Sequence, residues 1–255
     1  MKIDFHAHIW NDQGHRVDEF VAGLDSLGID RAVVLPIAPY MSNEDVAAHV
    51  KAAPDRLIGF ASVLPFGRTT GIPRLDPVED LGYAVETLGL RGLKLHPVIQ
   101  GFRLNDPGLI PVVRAAGDLG IPVLFHTGIS NGPAGRMENA RLELLDDLAI
   151  MCPDTKLIAG HSEPLSAAPD LAFKHRNLYL ETSLSWPRYC DLIPGLAKQT
   201  VELAGEGKVL FGCDYHIGRE SRVTDMIRVL ESSGMSESQL EDVYSGNALR
   251  LLGEA

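Results

Sequence analysis

The sequence predicts an α/β protein in which residues 1–255 form one closed (β/α)8 barrel, a TIM barrel, with a helix at its C-terminus. Three observations predict it. Short apolar runs rich in β-branched residues alternate with stretches of helical spacing, the pattern of a parallel sheet covered by helices. The alternation can be followed through eight units along the chain. The 255 residues match the roughly 250 that such a barrel needs, and no shift in composition marks an internal boundary.

In order, the first strand lies in residues 1–10, the run containing Asp4-Phe5-His6-Ala7-His8. A polar loop over 11–16 leads to helical spacing at Val17, Phe20, Val21 and Leu24. Residues 31–36 read as a buried strand, Ser42 opens a helix to about Lys51, and 57–63 form the third strand. The stretch 65–77 is the longest loop and the richest in Gly and Pro, a candidate lid or surface insertion. A helix over about 76–88 precedes the strand 90–96, which Pro97 ends. A helix near 107–119, stopped by Gly120, precedes the strand 121–126. Another near 138–151 precedes 156–161, a shorter one precedes 177–182, and 192–203 precedes 208–214. Ser236-Glu-Ser-Gln239 has the capping-box form and opens a terminal helix.

Hydrophobic residues at 45% and charged residues at 22% suit a globular enzyme-sized domain. The net charge of −11 argues against a nucleic-acid partner, while local arginines could still hold a small anion. The three cysteines, Cys152, Cys190 and Cys213, have no framework spacing and read as reduced thiols. No run is long and apolar enough to span a membrane, and the first residues carry the histidine pair rather than a secretory leader. The expectation is a cytoplasmic protein with a small-molecule substrate. Trp186 and Tyr189, read as loop residues, could anchor a homo-oligomer interface or wall a pocket.

Barrel enzymes place their chemistry at the C-terminal ends of the strands. The polar residues expected there are His6 and His8, Lys94 and His96, His126, His161, Glu181 and Thr182, and Asp214. Five of the nine histidines thus gather at one end of the barrel. His6 and His8 are two apart on a strand, so they share a face and can close on one metal ion through neutral ring nitrogens. His96 can equally be a satisfied core residue. Cys213, adjacent to Asp214, faces away from the site and reads as packing.

The order His-x-His on strand 1, His on strands 5 and 6 and Asp on strand 8 resembles the amidohydrolase superfamily. Gly92-Leu-Lys-Leu-His-Pro97, Phe125-His-Thr-Gly128, Gly160-His-Ser162 and Phe211-Gly-Cys-Asp-Tyr215 look like its amidohydrolase-2 branch, as does the closing Gly246–Gly253 helix. That branch holds hydrolases, decarboxylases of the aminocarboxymuconate semialdehyde type, lactonases and hydratases. The resemblance implies that His6, His8, His126 and Asp214 hold a divalent metal. Three nitrogens and one oxygen suit zinc. It makes His161 a histidine outside the ligand set that orients water or substrate. Lys94 would bridge two ions if carboxylated; the expectation is one ion, with Lys94 an ammonium paired with Glu181 or Asp214. His216 stands where the branch commonly has proline.

The reaction expected first is hydrolysis of an amide, lactone or related bond. The metal would lower the pKa of its water toward about 7, Asp214 would accept the proton, and His161 would help hold the developing oxyanion. The alternative is non-oxidative decarboxylation of a small carboxylic acid, with a cation for the substrate drawn from Arg103, Arg136, Arg188 or Arg219. His216, Arg136 and Trp186 are the candidate substrate contacts.

Overall fold

The computed structural model describes residues 1–66, 76–128 and 135–254. Its eight strands are parallel and follow chain order: β1 (Ile3–Ala7), β2 (Arg31–Val34), β3 (Leu57–Gly59), β4 (Leu93–Leu95), β5 (Val123–His126), β6 (Leu157–Gly160), β7 (Leu178–Glu181) and β8 (Val209–Leu210). β1–β3 form one hydrogen-bonded arc and β4–β8 a second. Backbone hydrogen bonds join the arcs at both edges. Ala61 N donates to Gly92 O and Lys94 N to Ala61 O, each at 2.7 Å, between β3 and β4. Phe5 N reaches Phe211 O at 2.8 Å and Tyr215 N reaches His6 O at 3.1 Å between β8 and β1. The sheet closes into the expected barrel.

Each strand is shorter than the apolar run that predicts it. Residues beyond the ladder, such as Leu90 and Ile121, stay apolar because helices bury them, not because they pair. The helix expected over 138–151 is broken. Arg141 takes an extended backbone, φ −61° and ψ 123°, and the continuous helix begins only at Leu145 (Leu145–Met151). Trp186 and Tyr189 lie in a helix, Ser185–Cys190, rather than a loop. The candidate lid falls largely outside the described residues. Among the described residues, no helix is long and apolar enough to cross a membrane.

Two apolar layers hold the barrel. One joins the outer faces of the strands to the helices, with Ala32 and Val34 against Phe20, Leu24 and Val46. The other fills the barrel interior, from Ile3, Phe5, Val33, Ile58, Leu124, Ile158 and Leu210 to the closing helix Asn247–Leu252. The upper interior belongs to polar residues on the same faces: His126 above Leu124, and Glu181 above Tyr179.

Strict alternation would send His6 outward, since Ile3 and Phe5 already point in. The pairing of β1 with β2 shifts register between Asp4 and Ala7, and a bulge of this kind re-aims the following side chain. Ala7 then faces the helices, leaving His6 and His8 on the inner side. Asp4 holds the irregularity together. Its Oδ1 accepts from His6 N at 3.0 Å and Cys213 N at 2.9 Å, so one carboxyl ties β1 to the end of β8. Burial pushes that carboxyl well above its ordinary range.

Candidate metal centre and active site

A cavity of about 290 Å³ opens at the C-terminal end of the strands, and His6, His8, Lys94, His96, His126, His161, Asp214 and His216 all line it. The barrel brings these eight expected residues together. Arg136 and Trp186 it does not. Arg136 is exposed and pairs with Glu138 at 3.2 Å. Trp186 is fully buried in the core, its Nε1 donating to Ser162 O at 3.0 Å. An indole there fixes the chain after His161 instead of contacting substrate. Arg103, Arg188 and Arg219 are likewise absent from the lining; among the described residues the arginine present is Arg222, on the helix Glu220–Glu231.

Hydrogen bonds on the far side of each ring set which nitrogen faces inward. His6 Nδ1 lies 2.7 Å from Glu181 Oε2, an acceptor, and His8 Nδ1 lies 2.7 Å from Leu35 O. Both rings therefore carry hydrogen on Nδ1 and turn Nε2 toward the centre. Asp214 Oδ1 sits 3.1 Å from His8 Nε2 and 3.6 Å from His6 Nε2. Donor atoms bonded at about 2.0–2.1 Å to a tetrahedral ion stand roughly 3.3 Å apart, so these separations match such a cage. His126 Nε2, enclosed in protein, has no hydrogen-bond partner. A buried unpaired nitrogen is costly. His6, His8 and Asp214 hold their donor atoms within 4.8 Å of one another, a group that could hold a metal ion, and His126 lines the same cavity. A second group within ligand distance, His6, His161 and Glu181, is already committed to hydrogen bonds.

Electrostatics agree with this assignment. Burial first, with Lys94 among the lesser causes, holds His6, His126 and His161 well below their ordinary value, so the rings are neutral. Asp214 is held well below the carboxylate range although burial works against it. Arg222 Nη1 adds two contacts at 2.5 Å, to Asp214 Oδ2 and to its backbone oxygen. Burial draws Lys94 down to about 8, with Asp214 and Glu181 opposing.

Lys94 departs from expectation. Among the described residues no carboxylate oxygen reaches it at ion-pair distance; its Nζ lies 3.3 Å from His6 Nε2. Glu181 instead accepts four hydrogen bonds: His6 Nδ1, Ser183 Oγ at 2.7 Å, Ser183 N at 2.5 Å and His161 N at 3.2 Å. Gly212 makes room for it, since a Cβ there would lie 2.0 Å from Glu181 Oε1. Ser183 Oγ also lies 2.6 Å from His161 Nδ1. With Glu181 ionised, the hydrogens have one consistent arrangement. Ser183 donates to Glu181, His161 Nδ1–H donates to Ser183, and His161 Nε2 is left as an acceptor on the cavity wall. Sequence reading missed Ser183, Arg222 and Trp10, which stacks on His8 at 4.7 Å. Ser183 had one available signal, its place two residues beyond Glu181 at a strand end; Arg222 had none.

A parallel barrel carrying a histidine-rich cation cage at its strand ends defines a metal-dependent barrel enzyme. The chain belongs to the amidohydrolase family, in its amidohydrolase-2 branch: the family profile described as amidohydrolase matches residues 3–253. It is 26% identical over 250 residues to a 2-amino-3-carboxymuconate-6-semialdehyde decarboxylase of Dictyostelium discoideum, covering 86% of this chain and 67% of that one. Among solved structures, an uncharacterised TIM-barrel protein from Bordetella bronchiseptica superposes with a TM-score of 0.76 at 21% identity, covering 99% of this chain and 98% of that one. A 2,6-dihydroxybenzoate decarboxylase from Rhizobium gives 0.70 at 16%, with the same coverage of 99% and 98%. These likenesses show the TIM-barrel fold.

Proposed function

We propose that the protein is a metal-dependent hydrolase of a small, carboxylate-bearing amide or lactone, holding one zinc ion on His6, His8, His126 and Asp214, with His161 as the base. The observation that carries this reading is the hydrogen-bonded chain Glu181–Ser183–His161, which presents a neutral imidazole to the cavity with its Nε2 lone pair free. A bound ion would supply Lewis acidity to the scissile carbonyl and to water. His161 Nε2 takes the proton from the attacking water and returns it to the leaving oxygen or nitrogen, so the carbonyl–heteroatom bond breaks with charge balanced. Asp214, with both carboxylate oxygens engaged, is too weak a base for that task and serves as a ligand. Lys94 faces the developing oxyanion as an ammonium, and the same charge disfavours a second ion. Among the described residues, Lys94 and Arg222 supply two cations against one carboxylate in the wall, which suits an anionic substrate.

Those two cations also favour a second reading, non-oxidative decarboxylation of a small carboxylic acid, the chemistry named for the relative that is 26% identical. One experiment separates the two. Zinc-loaded enzyme is offered a panel of carboxylated lactones, amides and aromatic acids in ¹⁸O-water. Label in a new carboxyl group with no CO₂ supports hydrolysis; CO₂ release with no label in the remaining organic product supports the lyase. Zinc titration with and without bicarbonate should give one ion per chain in both cases. Two ions seen only with bicarbonate, and lost in Lys94→Ala, would refute the ammonium form.

A further inference from the structure

His96 follows Lys94 by two residues and projects into the cavity beside it. It is also the residue that opens the short helix Pro97–Gln100, where its Nδ1 accepts the N–H of Ile99 at 3.3 Å. A ring nitrogen that accepts a backbone N–H carries no proton, so the hydrogen of this imidazole sits on Nε2. The ring is fixed on two further sides. Gln100 Oε1 accepts from His96 N at 2.8 Å, while Gln100 Nε2 donates to Val63 O at 2.8 Å. The imidazole lies flat on His126, with 3.8 Å between centroids and 15° between planes. Among the described residues Nε2 has no protein partner, yet it is not one of the enclosed unpaired atoms; it opens on the cavity.

The walls thus present two neutral imidazoles of opposite sense. His161 offers a lone pair at Nε2, and His96 offers an N–H at Nε2. Helix capping is what separates them: one ring bonds a serine hydroxyl through Nδ1–H, the other bonds a helix amide through a bare Nδ1.

We propose that His96 is a catalytic residue, a neutral hydrogen-bond donor whose Nε2–H holds the substrate's carbonyl oxygen and strengthens as that oxygen becomes negative. The proposal rests on the hydrolytic reading for the identity of that oxygen. A neutral donor suits an anionic substrate, because it adds no full charge that would hold the substrate equally well before and after reaction.

His96→Asn and His96→Gln provide the test. Asparagine is among the best helix N-caps and keeps the bond to Ile99, but it is too short to reach the cavity; glutamine restores a reaching N–H. Expected for His96→Asn are an unchanged zinc content and melting temperature, a kcat lower by about 10²–10³-fold, and KM within a few-fold. His96→Gln should regain part of the loss. In ¹⁵N-histidine spectra of zinc-loaded enzyme, the resonance missing from His96→Asn should show protonation at Nε2. A kcat for His96→Asn within threefold of wild type, or a proton on Nδ1, would overturn the proposal. Failure of the hydrolytic reading shows separately, as CO₂ release by the wild type, and leaves the tautomer and the Asn–Gln contrast to report on the donor.

Discussion

Replacing Glu181 by glutamine removes one charge from the interior and changes almost no volume. The carboxylate accepts three hydrogen bonds at Oε2 and one at Oε1. An amide can offer only one acceptor oxygen. Turned so that oxygen keeps His6, Ser183 Oγ and His161 N, its NH₂ then meets Ser183 N–H, donor against donor, where 2.5 Å now separates the two heavy atoms. Leaving that buried amide unpaired costs about 1–3 kcal/mol, a measurable fall in the apo-protein's urea midpoint. The metal centre should suffer independently. His6 loses the charged partner that fixes its tautomer, and loss of such a partner weakens metal affinity by about 10–100-fold, equivalent to about 1.4–2.7 kcal/mol. Competition for zinc against a chromophoric chelator reads this directly. A Glu181→Gln variant that binds zinc within twofold of wild type would refute the claim that Glu181 orients His6.

Acid should destabilise the apo-protein steeply. His6, His96, His126 and His161 are all held neutral, first by burial. Their folded values lie below the unfolded one, so the unfolded chain binds more protons. Stability is therefore retained above about pH 6.5 and lost below it, each ring contributing up to about 1.4 kcal/mol per pH unit. Denaturant midpoints between pH 8 and 5 check this; a flat profile contradicts buried neutral rings. Gly212→Ala should drive a methyl into Glu181, 2.0 Å from its Oε1, and cost zinc affinity and stability together. Wild-type affinity in that variant would place the carboxylate elsewhere.

Much of the site was legible because the barrel converts a simple linear rule into a place. A polar residue that ends an apolar run is delivered to the same rim whichever strand carries it, so the place of His126 and Asp214 at the rim could be read from spacing, while their expected role came from the family resemblance. What stayed hidden depends on contacts between distant segments. Arg222 reaches Asp214 from a helical turn eight residues on, and an arginine there looks like any solvated one. Trp186 looked like a loop residue because the stretch around it carries a proline and few apolar neighbours; only the fold shows its indole anchoring Ser162 O. The inward turn of His6 came out right for a reason alternation does not contain. Strict period two would have pointed it outward once Ile3 and Phe5 faced in, and the register shift after Asp4 is what returned it. The break at Arg141 left the hydrophobic spacing of 138–151 nearly intact, so periodicity could not find it.

His161 and Asp214 share one further trait: both are non-glycine residues in left-handed backbone, at φ 62° and 55°. Each conformation costs an L-residue roughly 1–2 kcal/mol. Glycine would relieve it at either position and abolish a ring or a carboxylate that the centre requires. Selection for heat resistance alone would thus act against the chemistry at these two positions, and a stabilised descendant that keeps both side chains must have found its extra degrees elsewhere in the barrel.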